Sequence, residues 1–88
     1  MKTESDYLLL LCAVFANMKK AHPELNNFAI FGNVINNDVM ELLAVTHDIN
    51  TDIYRIDYID LSNKSEQETK EAMQLAITNW HDTHMELG

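Results

Sequence analysis

Phe28-Ala29-Ile30-Phe31-Gly32-Asn33-Val34-Ile35-Asn36-Asn37-Asp38-Val39-Met40-Glu41-Leu42-Leu43-Ala44 is the stretch on which the fold turns. Its first eight residues are rich in aromatic and β-branched types, which fit a pleated, half-buried surface, and predict a strand with Gly32 as a candidate bulge. Asn36-Asn37-Asp38 predicts a turn, because Asn and Asp tolerate left-handed backbone and bond their own main chain. Val39 to His47 then reads as the second strand of a hairpin. The competing reading is a short helix over Val39–Ala44 capped by Asn37. The hairpin reading commits the middle of the chain to an antiparallel sheet.

Downstream, Asp48-Ile49-Asn50-Thr51-Asp52 reads as the next turn and Ile53 to Leu61 as a third strand. Strict alternation would put Tyr54, Ile56 and Tyr58 on one face and Arg55 and Asp57 on the other. Ser62-Asn63-Lys64 is a linker, and Ser65-Glu66-Gln67-Glu68 has the spacing of a capping box. The helix it opens is predicted over about Glu66–Met85. Its stripe is Thr69, Met73, Ala76, Ile77, Trp80, His84 and Leu87.

Upstream, Ser5 or Asp6 can cap a helix over about Tyr7–Ala21, ended by Pro23, which pushes His22 out of the helical region. Leu8, Leu11, Cys12, Phe15 and Met18 form its stripe, with Tyr7 at one edge. Leu9, Leu10, Ala13 and Val14 fill the other sides, so the helix needs cover on more than one side. The order α-β-β-β-α predicts an α+β fold. It is read as a single small domain over residues 1–88, with a three-stranded antiparallel sheet packed by two helices on one face.

Composition narrows the function. The chain has 88 residues, 47% of them apolar, with 6 Lys plus Arg against 14 Asp plus Glu. The formal charge of −8 argues against direct binding to nucleic acid or an anionic membrane, both of which call for clustered cations. One cysteine allows no intrachain disulfide. The apolar run Tyr7–Ala16 rises about 15 Å as a helix, half of a roughly 30 Å hydrocarbon layer. Acidic residues precede the run and no small-residue cleavage site follows, so a cytoplasmic location is expected rather than export.

Signals for chemistry are sparse. Asp48-x-Asn50-x-Asp52 begins like a calcium loop, but Ile53 and Ile59 stand where that loop needs Gly and a bidentate acid. His81 and His84 lie three apart on a helix, near Asp82 and Glu86, and would need His22, His47 or Cys12 to complete a metal site. Cys12, inside an apolar helix, reads as a core residue rather than a nucleophile. No phosphate-binding glycine loop or hydrolase signature occurs. The expectation is a non-enzyme with no cofactor and no metal ligand set.

The distinctive feature is where the charge falls. Residues 1–37 are neutral, whereas residues 38–71 carry nine acids against Arg55, Lys64 and Lys70. Carboxylates two apart on a strand stand about 6.8 Å from each other, close to twice the roughly 3.4 Å charge spacing of one nucleic-acid strand. Glu41, Asp48, Asp52, Asp57, Asp60, Glu66, Glu68 and Glu71 are therefore the expected partner-binding residues of an acidic inhibitor. Its partner would be a larger basic protein that handles nucleic acid. Phage proteins that block CRISPR or restriction enzymes, and immunity proteins that cap nuclease toxins, offer the analogy. The double-stranded-RNA-binding domain shares the element order, but Ser65, Glu66 and Glu68 stand where it needs lysines. The alternative is a structural homodimer joined through the apolar first helix.

Overall fold

The computed structural model describes residues 3–46 and 52–87, of which 84–87 by backbone alone. Six elements follow one another: helix α1 (Glu4–Ala21), a 3-10 turn (Pro23–Asn27), strands β1 (Phe28–Ile35), β2 (Val39–Thr46) and β3 (Ile53–Asp60), and helix α2 (Glu66–Leu87). The expected α-β-β-β-α order and three-stranded antiparallel sheet are present, with strand order β1-β2-β3. Residues 39–46 are strand rather than helix.

Local chemistry explains the boundaries. α1 begins a turn earlier than the Ser5 or Asp6 cap implies. Thr3 is the cap: its hydroxyl accepts from the Asp6 N–H at 3.3 Å, and the Asp6 carboxylate accepts from the Thr3 N–H at 2.8 Å. Ser65 and Glu68 form the expected reciprocal box at the start of α2, with contacts of 2.9 and 3.1 Å. Asn36 and Asn37 hold φ of 54° and 63° in the β1–β2 turn, the left-handed conformation asparagine tolerates best among side-chain-bearing residues.

The core is built on one face of the sheet. Met40, Leu42 and Ala44 of β2 alternate inward, and Leu10, Leu11, Val14, Phe15 and Met18 of α1 and Thr69, Met73, Ala76 and Ile77 of α2 close over them. α1 lies along β1 and α2 along β3, each helix returning antiparallel to its strand. The helices therefore run parallel to each other. Asp6, Leu9 and Leu10 border Glu66 and Lys70 at one end, and His22 meets His81 at the other.

Three sequence readings change. Gly32 is not a bulge, since β1 pairs with β2 without interruption. It is instead the point where α1 comes down on the sheet: a Cβ there would stand 2.9 Å from Leu11 Cδ2. The bulge lies in β3, where Leu42 pairs with Asp57 and Leu43 with Arg55, leaving Ile56 as the extra residue. Alternation flips beyond it. Ile59 enters the core and Tyr58 turns outward beside Arg55, whose guanidinium lies 4.6 Å from the Tyr58 ring centre. Cys12, expected in the core, is exposed, because the helix turns Leu11 and Phe15 inward and leaves position 12 on its outer side.

Candidate functional site

The second face of the sheet is covered by nothing among the described residues. The ladder sets its side chains in rows across the strands: Ala29-Val45-Ile53, Phe31-Leu43-Arg55, Asn33-Glu41-Tyr58 and Ile35-Val39-Asp60. Phe31 is 53% exposed, Ile53 66%, Tyr58 49% and Ile35 39%. Leu43, Val45 and Val39 are half-buried between them. A solvated antiparallel face ordinarily alternates polar residues outward. This one presents a largely apolar surface, of the kind that marks an interaction site when contiguous.

The expected partner-binding acids divide into groups. Asp57 and Asp60 of β3 and Glu66, Glu68 and Glu71 of α2 gather at one end, joined by the short connection Leu61–Ser65. Asp38 of the β1–β2 turn joins them, since its carbonyl accepts from the Leu61 N–H at 2.8 Å. Asp52 lies beyond the opposite end of β3, roughly 27 Å along the strand from Asp60. At physiological salt it acts independently of that end, because the Debye length is about 8 Å. Glu41 is half-buried on the open sheet face. Asp48 lies outside the described residues, as do His47 and Asn50.

Two of the gathered acids also do local work. The Asp60 carboxylate accepts from the Ser62 N–H at 2.9 Å, which holds its carboxyl below the ordinary range. The Ser65 N–H does the same for Glu68, with Lys64 adding a smaller charge effect in both cases. Their charges therefore persist in moderately acidic solution, although their orientation is fixed by the turn and the helix cap.

A second constellation joins the far ends of the helices. His22 caps α1 at its C-terminal end, and Pro23 opens the 3-10 turn that presents Glu24. Glu24 Oε1 lies 2.9 Å from His81 Nε2 and 3.7 Å from His22 Nδ1. The His81 Nδ1 atom faces Asp82 Oδ1 at 3.3 Å. The His81 side chain is only 9% exposed, whereas those of His22 and Glu24 are 43% and 42% exposed. The Glu24 carboxyl is held below its ordinary range, first by its own backbone N–H and then by the His81 hydrogen bond and the charge of both imidazoles.

The structure brings His81 together with His22 and Glu24; the side chain of His84, with which the sequence reading pairs His81, lies outside the described residues. The sequence reading offers His22 as a further ligand but not Glu24, since Pro23 and the residues after it read as a helix stop and loop. The signal open to a reader was His22-Pro23-Glu24, a rigid turn carrying two potential ligands. His81 lies 57 residues from Glu24, and no local spacing announces that contact.

Comparison with protein-family models, with curated proteins and with solved structures finds no match. Among the described residues, no helix is long and apolar enough to cross a membrane.

Proposed function

We propose that this chain is a non-catalytic binding protein that lays its open sheet face, with the acids around it, against a basic surface of a larger, nucleic-acid-handling protein. The observation that carries the reading is the uncovered apolar face that holds Phe31, Leu43, Ile53 and Tyr58. Glu41 and Asp60 stand on that face, and Asp38 sits at its end; Asp57, opposite Leu42, belongs to the other side of β3. Apolar side chains at the centre of an interface supply burial, and charges at the rim steer encounter and set the choice of partner. With a formal charge of −8, the favoured partner is basic. Extended basic surfaces are most often those that neutralise phosphate.

The open face also bears on the homodimer alternative. The apolar side of α1 is covered within the chain: Leu10, Leu11, Val14, Phe15 and Met18 are buried, and Leu9 is left outside. A second copy would find more apolar area on the sheet, but pairing there would bring two chains of charge −8 together. That repulsion favours a basic partner over self-association.

The test is capture from source cells, followed by competition. The partner is expected to be basic and to lose bound DNA or RNA as this protein is added, with an affinity that falls as salt rises. Phe31→Ser and Glu41→Lys, both on the open face, should each weaken the complex while leaving the circular dichroism unchanged. Simultaneous binding of protein and nucleic acid by the partner would refute the reading. So would unchanged affinity in both variants, or a stable dimer through the sheet face in light scattering.

A further inference from the structure

We infer that His22, Glu24 and His81 form a binding site for a single divalent transition-metal ion of the zinc class. The three ligand atoms lie within 4.8 Å of one another. Zinc holds imidazole nitrogen and carboxylate oxygen at about 2.0–2.2 Å in a tetrahedron, so neighbouring ligand atoms stand about 3.3–3.6 Å apart. The Glu24 contacts, 2.9 Å to His81 and 3.7 Å to His22, bracket that edge. Shifts of a few tenths of an ångström in side chains already facing one another bring these two edges to length.

The surroundings hold the ligands in place before any ion arrives. Leu25 is fully buried and anchors the 3-10 turn, and its N–H donates to the His22 carbonyl at 3.0 Å. Pro23 fixes φ between the two ligands of that turn. The His22 N–H donates to the Met18 carbonyl at 2.9 Å, tying this ligand to the last turn of α1, where the helix dipole favours positive charge.

His81 is oriented from behind. With Nε2 turned to the ion, its Nδ1–H donates to Asp82, the carboxylate–histidine pairing that fixes the tautomer and orientation of a metal-bound imidazole. Three protein ligands leave a fourth position, which opens to solvent between the half-exposed His22 and Glu24 and would hold water. The ligand set is nitrogen and oxygen without sulfur, which suits zinc and its neighbours and gives no particular advantage to copper(I) or calcium. The ion would clip the corner after α1 to the last turns of α2.

The test uses the full chain purified without a histidine tag and stripped with chelator. Titration with zinc chloride followed by calorimetry should give one ion per chain. Cobalt(II) should give the visible absorption of a four-coordinate ion, abolished by added zinc. His22→Ala, Glu24→Gln and His81→Gln should each lower zinc affinity by at least about tenfold, and Asp82→Asn by about tenfold. His22 is half-exposed, so His22→Ala keeps the test independent of any folding defect in His81→Gln. His84→Ala should leave stoichiometry and affinity unchanged. Absence of saturable zinc uptake would overturn the inference and leave the triad a hydrogen-bonded clip. So would affinity that survives His22→Ala but falls with His84→Ala.

Discussion

Replacing Gly32 by alanine tests how α1 is seated on the sheet. The added methyl would stand 2.9 Å from Leu11 Cδ2 and 3.3 Å from both Leu8 Cδ2 and Met40 Sδ. Leu11 and Met40 are buried, 2% and 0% exposed, so neither has free space to move into. Overpacking a close-packed core costs about 1–3 kcal/mol. Removing a glycine from a strand returns roughly 0.5–1 kcal/mol of conformational entropy. The expected balance is a net loss of between about 0 and 2.5 kcal/mol. Leu11→Ala alone should cost about 2–5 kcal/mol through the cavity it leaves. In the double variant the new methyl enters that cavity, so the combined loss should fall short of the sum by at least about 0.5 kcal/mol. Urea denaturation followed by circular dichroism measures all four corners of the cycle. A stabilising Gly32→Ala, or strict additivity with Leu11→Ala, would refute the close approach of α1 to β1.

Other outcomes follow from single contacts. Ser65→Ala removes the hydroxyl that accepts from the Glu68 N–H, and should lower stability by about 0.5–2 kcal/mol in the same denaturation assay. Glu24, Asp60 and Glu68 have carboxyls held below their ordinary values in the folded chain, so the unfolded chain binds protons first on acidification. Their contribution to stability is full above about pH 4.5 and is lost as pH falls through the folded values; Asp60→Asn with Glu68→Gln should flatten that acid limb in a melting-temperature series. Cys12, exposed on α1, should react with maleimide in the native protein nearly as fast as in urea, and strong protection would contradict its placement.

The hairpin and both helices were legible because their signals are local. Asn36-Asn37 can hold the left-handed turn whatever surrounds it, and Ser65 with Glu68 closes a box within one helical turn. The facing of β3 was not legible beyond Arg55, because a bulge arises from how the strand meets β2 and leaves no mark in an alternation of Tyr54, Ile56 and Tyr58. The place of Gly32 depended on which helix residue arrives above it. Cys12 shows the same limit: in a run as uniformly apolar as Tyr7–Ala16, periodicity does not say which side is covered. For the triad, His22 and His81 were legible as possible ligands, but Glu24 and the meeting of all three were not. It depends on the helices running parallel, which follows only once each helix has folded back along its own strand.

The extra residue at Ile56 changes how substitutions in the last strand should be interpreted. By simple parity, a polar replacement of Tyr58 would wreck the interior and one of Ile59 would be harmless. The opposite holds: Tyr58 is exposed on the open sheet face, and Ile59 belongs to the packing that keeps the chain folded. A polar residue at position 58 should therefore leave the fold intact, while position 59 tolerates little beyond an aliphatic side chain of similar volume.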